Sequence, residues 1–158
     1  MTRKPKSLAP LSPLEAFKRS ARARTNRRTG ETAQDIAKRA LEAAGYFMVE
    51  RVHTPWGVVR RGKRIVSAYP LEKVSGDFRS ITLDGRSVLV ECKCRQEPSL
   101  SLSDFAPHQI EALDEHYLHR GRTLIAWVYN GKCKLLNWAI YKPKHGEPLK
   151  WGRLNLLQ

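Results

Sequence analysis

The sequence predicts a mixed α/β (α+β) domain, a central sheet with helices packed on it, and three observations predict it. Apolar residues recur at helical spacing in two segments, 31–44 and 107–119. Short runs rich in Val, Ile and Leu, separated by turn dipeptides, fill the intervals between them. The order along the chain is therefore helix, strands, helix, strands, which calls for helices and a sheet sharing one core. The 158 residues suit a single core, and with 41% of them apolar the chain has the means to build it, which excludes full disorder.

The first 28 residues stand apart. They hold nine basic residues and a single acid, so +8 of the net +14 lies in under a fifth of the chain. Ser12-Pro13-Leu14-Glu15 has the spacing of a capping box with Pro at the first helical position, which predicts a short basic helix from about Pro13 to Arg24. The residues before Leu11 read as a mobile arm. The predicted organisation is a basic, partly disordered arm over 1–28 followed by one domain over 29–158.

From Glu31 to Ala44 the positions Ala33, Ile36, Ala37, Ala40, Leu41 and Ala44 line one helical face, and Gly45 supplies the stop. Glu31 falls in the first turn, where the helix dipole favours a carboxylate whatever its other use. Tyr46 to His53 reads as a strand, broken by Thr54-Pro55-Trp56-Gly57. Val58–Arg60 and Ile65–Tyr69 then flank Arg61-Gly62-Lys63 as a hairpin with a basic tip. After the turn at Asp84-Gly85 comes the strand Ser87 to Cys94. Pro107 to His119 reads as a second helix, with Ile110, Leu113, Tyr117 and Leu118 inward. Thr123 to Tyr129 is a buried strand, Asn130-Gly131 a two-residue hairpin turn, and Lys132 to Trp138 the returning strand.

The charge points to a polyanion, since each Lys or Arg near a phosphate releases a counterion and adds salt-dependent affinity. DNA is the expected partner. Arg19, Arg22, Arg24, Arg27 and Arg28 of the arm, with Arg60, Arg61, Lys63 and Arg64 of the hairpin, are the candidate contacts. A solubilising tail or an organelle-targeting segment shares the arm's composition, and an edge ribbon kept soluble by its charges shares the hairpin's. The longest apolar run, Leu124 to Tyr129, is six residues against the roughly 20 of a membrane span, so no membrane association and a cytoplasmic location are expected. Cys92, Cys94 and Cys133 make an odd number without Cys-x-x-Cys spacing, which suits small apolar residues in a reducing compartment better than zinc. No glycine-rich phosphate loop, His-Glu-x-x-His or Gly-x-Ser-x-Gly is present.

The sharpest chemical feature is Val88-Leu89-Val90-Glu91-Cys92-Lys93. Period two puts Glu91 and Lys93 on one face of this apolar strand, with Val90, Cys92 and Cys94 on the other. Alone, the pair is no more than a same-face ion pair. Asp77 changes the balance, because one hairpin through Asp84-Gly85 returns the chain and brings it beside Glu91. Two neighbouring carboxylates repel unless a divalent cation lies between them, and Mg²⁺, a hard ion that takes one or two carboxylates and keeps water, fits.

Asp77-(x13)-Glu91-x-Lys93 resembles the catalytic signature of the PD-(D/E)xK nuclease superfamily, with Gly76 where the motif's name has Pro. The resemblance narrows to Holliday-junction resolvases of the RecU type. Asn26-Arg27-Arg28-Thr29-Gly30-Glu31 is similar to that family's segment leading to a helix-borne Glu, and Ser75-Gly76-Asp77-Phe78 to its acidic turn. Val90-Glu91-Cys92-Lys93 resembles its catalytic strand, and His108-Gln109 its His-Gln on the next helix. Between Val52 and Ser75 the family builds a stalk that inserts at the junction centre; the segment is shorter here.

The resemblance implies a restriction-endonuclease-like fold and Mg²⁺-dependent, structure-selective cleavage of four-way DNA junctions by paired nicks, in recombination and repair. It implies that Asp77 and Glu91 hold Mg²⁺ (or Mn²⁺ in its place), with Glu31 joining them directly or through water. Lys93 would orient the attacking water and stabilise charge in the transition state, and Gln109 would help position a water or phosphate. Two coordinated nicks on a two-fold symmetric junction imply a homodimer. A less selective nuclease of the same superfamily, or a basic DNA-binding module without catalysis, are the other readings of these residues.

Overall fold

The structure, a computed structural model, describes residues 32–53, 55–70 and 76–154. The chain divides into two units, Met1–Thr32 and Ala33–Gln158, and the described residues after Thr32 belong to the second. The basic arm with its expected helix, and Glu31, lie outside the described residues.

A five-stranded mixed sheet carries the fold, in the order β1-β4-β5-β7-β8 (Phe47–Arg51, Phe78–Ile81, Ser87–Cys94, Arg122–Tyr129 and Lys132–Asn137). Only β5 and β7 run parallel, and the connection between them contains helix α2 (Pro107–Leu118), as a parallel crossover requires. The other neighbours are antiparallel. Helix α1 (residues 32–43) buries Ala33, Ala37 and Leu41 at a spacing of one helical turn. It ends at Gly45, whose φ of +81° a residue with a side chain rarely adopts.

Period two sorts the central strands between two apolar clusters. Val88, Val90, Leu124, Ala126 and Val128 pack with the α1 stripe and Phe78. Leu89, Ile125, Trp127 and Leu136 pack with Phe105, Leu113 of α2 and Trp138. Each fully buried side chain of this size contributes about 2–3 kcal/mol, and helices cover the two clusters from opposite faces. Beyond β5, β6 (Ser99–Leu100) pairs antiparallel with β9 (Leu149–Lys150).

Three expectations are corrected. The inward face of α2 stops short of its last turn, because Tyr117 is half exposed and Leu118 is 77% exposed. The end of α2 instead meets helix α3 (Trp138–Tyr141), where Trp138 Nε1 donates to Asp114 Oδ1 at 2.7 Å. The strand after Asn130-Gly131 ends at Asn137 rather than Trp138, because the Asn137 side chain caps α3 by accepting from Ala139 N at 3.0 Å. β1 is shorter than Tyr46–His53, and its pairing with β4 slips between Phe47 and Glu50, around Met48 at φ +51°.

The basic hairpin forms, but its strands run longer than Val58–Arg60 and Ile65–Tyr69, and Trp56-Gly57, expected within the break, pair as the start of its first strand. β2 (Trp56–Arg61) and β3 (Arg64–Pro70) pair as a separate two-stranded sheet, turning at Gly62. Among the described residues no helix is long and apolar enough to cross a membrane. Cys92 and Cys133 are half buried against the α1-side cluster and Cys94 is exposed, all as free thiols.

Candidate active site

The β4–β5 hairpin positions the acids. Its register pairs Phe78 with Val90, and Asp77 N donates to Val90 O at 2.8 Å, so Asp77 sits at the mouth of the hairpin beside Glu91. Gly76 makes this approach possible. Its φ is +82°, and a Cβ there would stand 2.4 Å from Leu89 Cδ1. Its backbone N–H lies on the side of the Glu91 carboxylate and favours the ionised form. Proline has neither that N–H nor access to positive φ, so the departure from the motif's name has a local physical cause.

The polar contacts converge on two carboxylates. Asp77 Oδ1 accepts from Gln34 Nε2 of α1 at 3.0 Å, and Asp77 Oδ2 accepts from Cys92 N at 2.8 Å. Glu91, buried at 3% exposure, accepts from the Gln109 amide and pairs with Lys93 Nζ at 3.0 Å. Lys93 Nζ donates to Gln109 Oε1 at 2.8 Å and lies 4.8 Å from the centre of the Phe105 ring. Gln109 Oε1 also accepts from Ala106 N at 3.0 Å, so one amide caps α2 and ties together the acid and the amine of β5.

Burial and mutual repulsion shape the charges. Burial, the largest cause, raises the Asp77 carboxyl above the usual carboxylate range, against the Cys92 N–H, the Lys93 charge and Gln34. Glu91 is pushed up to about 7, first by burial and then by the charge of Asp77, against Lys93 and the Gly76 N–H. The fold thus assembles two adjacent acids that it disfavours as anions, with an ammonium group beside them. Such a set can take a hard cation or share a proton.

Of the residues singled out from the sequence, the structure brings together Asp77, Glu91, Lys93 and Gln109. Arg60, Arg61, Lys63 and Arg64 lie at the hairpin tip, all exposed. Glu31 and Arg19, Arg22, Arg24, Arg27 and Arg28 lie outside the described residues. Among the described residues no group of three or more His, Cys, Asp or Glu side chains is set to hold a metal; of the three acids singled out from the sequence, Asp77 and Glu91 are the two that are described. Sequence reasoning missed Gln34, whose signal was its place three residues after Glu31 at helical spacing. It also missed Phe105, held below Lys93 by a loop that the Arg95–Asp104 ion pair (2.9 Å) and the Asp104–Ser101 N bond (2.8 Å) fasten.

No family model and no curated protein matches the sequence. Among solved structures, the chain is similar to Hjc of Archaeoglobus fulgidus, described as a Holliday junction resolvase from an archaeal hyperthermophile. The TM-score is 0.50 at 13% identity, over 76% of this chain and 87% of that one. The likeness is one of fold: the five-stranded mixed sheet flanked by helices is a restriction-endonuclease-like fold that this chain shares with Hjc.

Proposed function

We propose that the chain is a Mg²⁺-dependent endonuclease of the PD-(D/E)xK kind that resolves four-way DNA junctions by paired nicks, in recombination and repair. The observation that carries this reading is the meeting of Asp77, Glu91 and Lys93 at one end of the β4–β5 hairpin, with Glu91 and Lys93 3.0 Å apart. The fold shared with a resolvase supports it. So do the order and spacing of the RecU-like segments, a resemblance that runs from about Asn26 to Tyr129.

The donor set fits the metal. The buried carboxylate of Glu91 and the half-buried one of Asp77, each disfavoured as an anion by its surroundings, are hard oxygen ligands that a dication relieves. Asp77 and Glu91 would hold it, with Glu31 as the third acid. When bound, Mg²⁺ supplies electrophilic stabilisation of the phosphate and lowers the pKa of water. Lys93 is fixed at Nζ by Glu91 and Gln109, which leaves one of its three N–H bonds for an attacking water or a phosphate oxygen. Gln109 keeps that ammonium in place from the α2 side. The hairpin cations and the 1–28 arm bind the DNA backbone, giving affinity rather than sequence preference. A homodimer presents two sites to the two strands to be nicked, and the protein works in the cytoplasm.

The test is cleavage of a labelled four-way junction beside linear duplex and single strand, with and without Mg²⁺. Paired symmetric nicks on the junction alone, abolished by Asp77→Asn and by Glu91→Ala with binding retained, are expected. Cleavage of every substrate would mark a general nuclease, and binding without metal-dependent cleavage a DNA-binding module. Full activity in either variant would remove the metal-ligand assignment.

A further inference from the structure

We infer that Gln34 is the positioning residue of Asp77, a neutral donor on α1 that fixes the carboxylate for a divalent cation without neutralising it. This rests on the metal-site reading above. Asp77 Oδ1 takes its bond from Gln34 Nε2 at 3.0 Å and Oδ2 from Cys92 N at 2.8 Å, so each oxygen is oriented by one donor and keeps a lone pair. With both oxygens held, the carboxylate is fixed about its own axis, and a cation meets a preset ligand rather than one it must order.

The choice of an amide matters. A Lys or Arg at position 34 would also donate, but its charge would compete with the cation for the same oxygens. An amide orients and leaves the full negative charge available. Gln34 is carried rigidly, since Ala33 and Ala37 on either side of it are buried against the sheet. Glu91 is served in the same way from the opposite face, by Gln109 of α2. Each acid therefore has one primary amide, each from a different helix.

The experiment is calorimetric titration of the full chain with Mn²⁺ in the absence of DNA, comparing the parent with Gln34→Met and Gln34→Lys. Met keeps the volume and helix preference of Gln and removes the hydrogen bond. Removing a bond that orients a metal ligand weakens affinity about 10- to 100-fold, which is the loss expected for Gln34→Met, with a larger one for Gln34→Lys. On junction DNA, Gln34→Met should raise the half-saturating Mg²⁺ concentration by a similar factor and restore kcat at high Mg²⁺, whereas a merely structural lesion would lower kcat at all concentrations. Melting temperatures of the variants without metal separate misfolding from weakened affinity. Parent-like Mn²⁺ affinity in Gln34→Met overturns the inference and leaves the nuclease reading standing. Absence of Mn²⁺ binding in the parent overturns both.

Discussion

At residue scale the site depends on a position with no side chain. Gly76 combines positive φ, close approach to Leu89 and a backbone N–H that favours the Glu91 anion, and these demands fail separately when it is changed. Gly76→Ala should cost at least about 2 kcal/mol, from left-handed strain plus overlap with Leu89, read as a lower urea midpoint. Gly76→Pro should cost more and remove cleavage. An alanine variant within about 0.5 kcal/mol of the parent would show that the hairpin mouth can open without harm. Asp77, Glu91 and Lys93 were legible because charges at the end of an apolar strand, opposite an acid on the paired strand, have few structural excuses. Gln34 was not: an amide on an exposed-looking helix face shows its role only when the fold places it 3.0 Å from a carboxylate 43 residues away.

At the scale of elements, β5 could be read to the residue, because its apolar run from Ser87 is stopped by charges that period two sorts onto one face. The last turn of α2 could not. Helical spacing defines a stripe but not how far the sheet extends beneath it, and α3, whose cap begins at Asn137, met that end of α2 instead. The β2–β3 hairpin pairs only within itself as a sheet and carries four exposed cations at its tip, so its charge and the fold should be separable. Replacing Arg60, Arg61, Lys63 and Arg64 together by Ser should leave the melting temperature within about 2 °C. Junction affinity should fall, and the slope of log K against log salt should flatten by roughly 0.9 for each phosphate no longer neutralised. An unchanged slope would remove the hairpin from the DNA interface.

For the whole molecule, the buried acid Glu91 makes folding depend on pH in a direction opposite to that of a carboxylate held by an ion pair. Glu91 holds its proton more tightly when folded, about 7 against 4.5, so the native state gains least from ionisation. Its contribution is therefore most favourable below pH 4.5, declines as pH rises, and carries its full penalty above about 7. Glu91→Gln removes this dependence. Relative to the parent, the metal-free variant should gain about 3 kcal/mol of unfolding free energy between pH 4.5 and 7, measured by denaturant titration at several pH values. A constant difference across that range would show that Glu91 stays ionised throughout. Under the proposed nuclease function the same variant should not cleave, so one substitution would steady the fold and end the activity.

The placement of a helix on each face of the sheet has a further consequence for motion. Because one amide reaches Asp77 from α1 and another reaches Glu91 from α2, the pair is fully oriented only while both helices are docked. Fraying of either layer releases one acid while the sheet remains paired. Slow amide exchange along both helices would thus report how often the site is assembled, and a cavity made far from it, under Leu41 or Leu113, should be felt at the carboxylates as a smaller fraction of time in the assembled state.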